Sequence, residues 1–370
     1  MKLLFLIHSL SMGGAERVTA NLANYWAAKE WQVAVATLTS AESDFYALDP
    51  RVKRIPLNVA ARSPNVFAAV SNNLRSLRAV RRLLKEWRPD VAIGMMTASN
   101  VYLALAAKGL PVRCIGSERV HPPRLPLGRV WERLRSISYG RLDAVVTLTE
   151  RSAEWVKAHT SARSVVVIPN PIPWPLPFQE PIRDPAEVMR EGRQICLAVG
   201  RLTRQKGFDL LIRAFSEIAP KFPAWDLVIV GEGELREDLE HQVQELGLQE
   251  RVHLAGRVGN MGDWYKAADL YVMSSRFEGF PNTLVEALAC GLPAISFDCE
   301  TGPSDIIRHG IDGLLVPDGD VVALKTGLER LMADEGLRQR LALRATEARE
   351  RFSLDRIGVL WERLFCEIMS

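Results

Sequence analysis

The sequence predicts an α/β protein of two Rossmann-like domains, each built on a parallel sheet, facing across an interdomain cleft. Three observations carry that reading. Short apolar, β-branched runs alternate with helix-length segments along all 370 residues, and uninterrupted apolar strands belong to parallel sheets covered on both faces. The alternation runs through twice, on either side of a proline-rich break. Every glycine-rich or charged motif of note follows the C-terminal end of an apolar run, where such sheets bind ligands.

In chain order, the strands expected in the first half are 3–8, 33–38, 91–96, 114–117, 144–148 and 165–168. Those of the second half are 195–199, 227–230, 252–254, 270–273, 294–297 and 314–316. Prolines at 169, 171, 173, 175, 177, 181 and 185 rule out a continuous helix or central strand between them. Residues 171–185 are therefore read as a semi-rigid linker between a domain at 1–170 and a domain at 186–352. The end of the chain, 353–370, reads as an amphipathic helix with Ser353 placed to cap it.

Composition narrows the function. Apolar content of 48% with 25% charged residues is that of a soluble globular protein. No run reaches the roughly 18 apolar residues of a membrane helix. The apolar start at 1–8 carries no cleavage signature and is expected to be a buried first strand. Five scattered cysteines without close pairing point to a reducing, cytoplasmic setting. The charge is uneven. Residues 1–170 carry 24 Lys and Arg against 12 Asp and Glu, whereas residues 171–370 carry 23 against 32. A basic first half suggests an anionic partner on that side. Nucleic acid is not expected, because no recognition motif or aromatic stacking platform accompanies the basic residues.

The most informative run is 276–286, which follows the apolar strand at 270–273 and holds Glu278 and Glu286. Gly279 allows close backbone approach to a ligand, and Pro281 presets a first helical turn. Residues Gly279, Phe280, Pro281, Asn282, Thr283 and Leu284 would then present backbone N–H groups at a helix N-terminus, a seat for phosphate. Glu286 would lie about one turn further on. One carboxylate can reach one side of a bound phosphate and the other the far side, which outlines a nucleotide-sugar site.

Together with Gly13-Gly14-Ala-Glu-Arg17, Gly200-Arg201 to Lys206-Gly207, Gly231-Glu-Gly233 and Gly256-Arg257-Val258, this run resembles glycosyltransferase family 4 over essentially the whole chain. The resemblance implies the GT-B fold and a retaining transfer in which the nucleotide-sugar is substrate and no cofactor is needed, and with no Asp-x-Asp in a catalytic setting no metal ion is expected. It implies that Arg201 and Lys206 grip the donor diphosphate, Glu278 holds sugar hydroxyls at the reacting centre, and Glu286 accepts from the ribose. The backbone of Arg257 and Val258 would meet the base, and Gly14 would bring a helix N-terminus to the phosphate. It also implies that the last helix packs back on the first domain. The expected donor is a UDP-sugar carrying a hexose or N-acetylhexosamine. The expected acceptor is a polyprenyl-diphosphate-linked oligosaccharide or a polysaccharide, as in lipopolysaccharide and exopolysaccharide assembly. A GDP-mannose-dependent mannosyltransferase and a non-catalytic nucleotide-sugar-binding subunit at the membrane stay open. A dehydrogenase is disfavoured, since no Gly-x-Gly-x-x-Gly turn follows the first strand.

One position departs from the family pattern. Many relatives carry a histidine after the fourth strand, where this chain has Glu118-Arg119, with His121 two residues on. A guanidinium cannot serve as a base, so Arg119 is expected to bind a sugar hydroxyl or a pyrophosphate. Finally, the helical stretch 72–88 sets Leu74, Leu77, Val80 and Leu84 on an apolar face and Arg75, Arg78, Arg82 and Lys85 along a basic rail. With Arg124, Arg129, Arg133 and Arg135 nearby, it suggests peripheral attachment to the anionic inner face of the membrane, or recognition of the acceptor's diphosphate.

Overall fold

A computed structural model describes residues 1–60 and 65–370. The chain forms two compact units, one of Met1–Pro171 with Leu354–Ser370 and one of Ile172–Ser353. The first contains β1 (Lys2–Ile7), α1 (Gly14–Ala28), β2 (Gln32–Thr37), β3 (Lys53–Pro56), α2 (Val66–Trp87), β4 (Val91–Met95), α3 (Thr97–Ala106) and β5 (Arg113–Ser117). It continues with α4 (Arg129–Ser138), β6 (Ala144–Thr147), α5 (Glu150–His159) and β7 (Val165–Val167). These strands form one sheet in the order β3-β2-β1-β4-β5-β6-β7, with every pairing parallel. The strand β3 was not expected. Its sequence, Lys-Arg-Ile-Pro, lacks an apolar run because it lies at the sheet edge, where proline and lysine are tolerated.

The second unit holds β8 (Gln194–Val199), α6 (Phe208–Ile218), β9 (Trp225–Val230), α7 (Arg236–Glu245), β10 (Val252–Gly256), α8 (Met261–Lys266) and β11 (Leu270–Met273). Then come α9 (Asn282–Ala289), β12 (Ala294–Asp298), α10 (Pro303–Ile306), β13 (Gly313–Pro317), α11 (Val321–Ala333), α12 (Glu335–Ala345) and α13 (Ala348–Arg351). Its six parallel strands run β10-β9-β8-β11-β12-β13. The stretch read as a linker packs within this unit. Gln179 N donates to Gly259 O, Gly259 N to Pro181 O, and Arg183 N to the Asn260 side chain. Prolines leave fewer amides to satisfy, so an irregular segment can lie against a folded surface without orphaned donors.

The cores follow the strand pattern. In the first unit, Leu3, Phe5 and Ile7 face one layer, and Leu4 and Leu6 face the other, all essentially inaccessible. The last helix, α14 (Leu354–Met369), covers the first of these layers beside α1. Its Trp361 and Phe365 meet Trp26, with ring centroids 6.4 and 5.3 Å apart. In the second unit the apolar stripe of α6, with Leu211, Ile212 and Phe215, packs on the sheet beside α11. Such burial stabilises by about 1.5–3 kcal/mol per large side chain.

Candidate active site

Both sheets reverse their strand order once, between β1 and β4 in the first and between β8 and β11 in the second. Ligands of open α/β sheets bind beyond the C-terminal strand ends at such a reversal. In the second unit, the loop after β8 carries Arg201 and Lys206, and the loop after β11 carries Glu278.

These two loops interlock. Lys206 Nζ lies 2.6 Å from Glu278 Oε1, and Ser275 Oγ donates to the same oxygen at 2.7 Å. Gln205 Nε2 donates to Phe277 O, Arg276 N to Gln205 O, and Ser274 Oγ to Lys206 O. Arg276 forks onto both carboxylate oxygens of Asp209, at 2.8 and 2.6 Å. That pair holds the Asp209 carboxyl below its ordinary range. Gly207 is required at the crossing. Its φ is +63°, and a Cβ there would fall 2.1 Å from Ser274 O. Gly231, after β9, approaches in the same way, because a Cβ would lie 1.9 Å from Gly200 O.

Glu278 is nearly buried, and its backbone oxygen accepts from Thr301 Oγ1 at 2.5 Å. Pro281 caps α9 from just outside, with φ −74° and ψ 96°, instead of occupying its first turn as the sequence suggested. Asn282 and Thr283 still form the first turn of the helix. Glu286 is buried one turn in, where Tyr265 OH donates to Oε2 at 3.1 Å. Tyr271 OH donates to Thr283 Oγ1 at 2.9 Å, and burial raises this phenol above its ordinary range. Leu284 is core, while Gly279 is half-buried and Phe280 packs against Phe352. Arg257 is exposed and Val258 half-buried after β10. Arg201 is also exposed, and its side chain has no partner among the described residues.

Sequence reasoning missed Tyr265, Ser275 and the Thr301-Gly302 turn. Gly302 has φ +100°, and a Cβ there would sit 2.6 Å from Pro281 Cδ. The signal was available, since Gly302-Pro303 follows the apolar strand β12 just as the other motifs follow theirs.

In the first unit, Gly14 starts α1 behind an extended Gly13. The run after β5 is buried. Thr97 donates to both Glu118 carboxylate oxygens, and Tyr139 OH donates to Oε1. Burial lifts the Glu118 carboxyl above the usual carboxylate range. His121 is buried, with Nδ1 3.0 Å from Ser152 Oγ. Arg119 is 6% exposed, and Nη1 donates to Asn170 Oδ1 at 2.8 Å. On α2, Arg75, Arg78, Arg82 and Lys85 are all exposed, whereas Val80 and Leu84 are buried and Leu77 is half-buried. Leu74, expected on the apolar face, is instead 44% exposed. Helical rotation sets it beside the rail, with Phe67 and Val70. Arg135 leaves the basic cluster altogether, being buried against Trp155 and paired with Glu132.

The family description "Glycosyltransferase Family 4" matches residues 12–173, and "Glycosyl transferases group 1" matches residues 180–348. The chain is 31% identical over 371 residues to a Campylobacter jejuni protein, covering 100% of this chain and 99% of that one. That protein is named GalNAc-alpha-(1->4)-GalNAc-alpha-(1->3)-diNAcBac-PP-undecaprenol alpha-1,4-N-acetyl-D-galactosaminyltransferase. This chain belongs to the family 4 glycosyltransferases. The chain is also 32% identical over 399 residues to a Streptomyces coelicolor protein named exopolysaccharide phosphotransferase SCO2592, covering 100% of this chain but only 41% of that one. Anabaena HepE, solved in complex with UDP, superposes with a TM-score of 0.78 at 18% identity, covering 99% of this chain and 100% of that one. The glycosyltransferase therefore has the GT-B fold, carried on its seven- and six-stranded parallel sheets. Among its described residues no helix is long and apolar enough to cross a membrane, and no group of three His, Cys, Asp or Glu is placed to hold a metal ion.

Proposed function

We propose that this glycosyltransferase moves a hexose or N-acetylhexosamine from a UDP-sugar, with retention and without a metal ion, to a polyprenyl-diphosphate-linked or polysaccharide acceptor. The observation that carries the proposal is the contact of Lys206 with Glu278 at the reversal of the second sheet. Lys206 and the exposed Arg201 supply fixed positive charge where the departing diphosphate accumulates negative charge, the role a metal fills elsewhere. Glu278, steadied by Ser275, accepts from the sugar hydroxyls beside the reacting carbon. The amides opening α9 receive phosphate oxygens, and Glu286, backed by Tyr265, accepts from the ribose. Retention follows if the leaving phosphate oxygen takes the acceptor's proton on the same face. The undecaprenyl-linked substrate in the name of the Campylobacter relative supports the acceptor class, and the UDP in the HepE crystal supports the donor.

The exposed side of α2 would hold the enzyme at the cytoplasmic face of the membrane. Phe67, Val70 and Leu74 supply an apolar leading edge, and Arg75, Arg78, Arg82 and Lys85 follow as cations. A thermal-shift series with UDP, GDP, UDP-sugars and GDP-mannose tests the donor. UDP should raise Tm by mass action where GDP does not. Stabilisation by GDP and GDP-mannose alone would replace the UDP reading.

A further inference from the structure

Arg119 is a buried cation with no counter-ion among the described residues. Its Nη1 is held by Asn170, but Nε and Nη2 find no acceptor among the described residues. Its guanidinium carbon lies 5.7 Å from the ring centroid of Trp361, which is fully buried and whose indole Nε1 is likewise without an acceptor. Among the other enclosed arginines, Arg54 leaves only Nη1 without a partner and is paired with Asp44. Arg338 donates to Leu331 O and Met332 O, and Arg81 to Ala106 O and Lys108 O. Three donor atoms on two side chains in contact each carry a desolvation penalty that no acceptor among the described residues offsets. Nε and Nη2 also form the side-on fork that matches two oxygens of one anion. The residue stands just beyond the C-terminal end of β5, on the ligand-binding edge of the first sheet.

We propose that Arg119, braced by Asn170 and Trp361, is a receptor for one phosphoryl oxyanion of a substrate, gripped side-on through Nε and Nη2. The inference rests on the transferase reading only in taking a diphosphate ester as its ligand. That diphosphate could belong to the nucleotide or to an isoprenyl-linked acceptor. The buried position explains why an arginine, and no shorter cation, occupies the site. The fork stays paired in geometry while the planar group stacks on the indole.

The test uses the whole chain as wild type, Arg119→Gln, Arg119→Lys and Lys206→Ala, with isothermal titration of UDP and of geranyl diphosphate. Arg119→Gln should weaken at least one probe by about tenfold or more, while its Tm equals or exceeds that of wild type because an unpaired buried charge has been removed. Arg119→Lys keeps the charge without the fork and should weaken the same probe. A loss for UDP assigns the oxyanion to the donor, and a loss for geranyl diphosphate alone assigns it to the acceptor. The proposal is overturned if wild type binds neither probe. It is also overturned if both variants fail to melt cooperatively, which marks a structural anchor, or if they bind both probes within about twofold of wild type. Wild type that binds geranyl diphosphate but not UDP refutes the UDP reading while leaving Arg119 to be judged on geranyl diphosphate. Lys206→Ala should weaken UDP whatever Arg119 does.

Discussion

Lys206 and Glu278, 72 residues apart, share an ion pair of 2.6 Å on adjacent loops of the second sheet. The pair poises a cation and a carboxylate side by side before any ligand arrives. In the proposed transfer, a departing diphosphate would compete for the cation while sugar hydroxyls engage the carboxylate. Removing either partner leaves the other charge enclosed and alone. Lys206→Ala and Glu278→Gln should each lower UDP release from a UDP-sugar by roughly 10²–10³ in kcat. Wild-type turnover in either would remove the pair from the chemistry.

The partnership of Glu286 with Tyr265 predicts ribose selectivity. A site built to bond a hydroxyl rejects a ligand that lacks it. Wild type should bind UDP more tightly than 2′-deoxy-UDP by about tenfold, and Glu286→Gln should erase most of that difference. Equal binding of both nucleotides by wild type would place the ribose elsewhere.

At Gly207 a single methyl group has nowhere to go. With φ at +63° and Ser274 O only 2.1 Å from where a Cβ would stand, Gly207→Ala must spread the Lys206 and Glu278 loops. Destabilisation of about 1–3 kcal/mol is expected, read as a fall in Tm, together with weakened UDP binding. Unchanged melting would mean that the two loops cross with room to spare.

Asp226, on β9, is buried among Arg193, Arg190 and Arg251. Burial pushes its carboxyl upward, but the guanidinium hydrogen bonds outweigh this and the net shift is downward. A carboxylate depressed in the folded state stabilises fully above its unfolded value of about 4, and the contribution is lost as pH falls through the folded value. Asp226→Asn should therefore cost about 2 kcal/mol at neutral pH, discounted because the arginines reach solvent. It should also flatten the acid limb of a Tm-against-pH curve below about pH 4. A parallel acid limb would exclude this cluster as its source.

The exposed stripe on α2 predicts salt-sensitive binding to vesicles containing anionic lipid. Neutralising Arg75, Arg78 and Arg82 together should lower the partition by about 1 kcal/mol per charge, and Phe67→Ser should weaken it further at high salt. Sedimentation of the triple variant identical to wild type would sink the membrane reading.

Much of this was legible in the residues alone. Twelve strands announced themselves as apolar runs because central parallel strands are buried on both faces, while β3 escaped notice as a polar edge. Helix periodicity located the basic rail on α2 but misplaced Leu74, because amphipathicity shows which residues could be covered and not where the neighbouring helix ends. Glycines after strands marked the loops of the candidate site. Tyr265 was invisible because its role depends on Glu286, a partner 21 residues further along the chain.

Local pattern thus settled the α/β class, the duplicated parallel architecture and the glycine-marked loops at the strand ends, since strand burial and glycine turns are properties of short segments. Strand order alone decided which loops became neighbours. Placing β8 beside β11 set Lys206 against Glu278, and folding α14 onto the first unit set Trp361 against Arg119. Such contacts come from long-range closure of the sheets and helices, for which no stretch of sequence carries a signal.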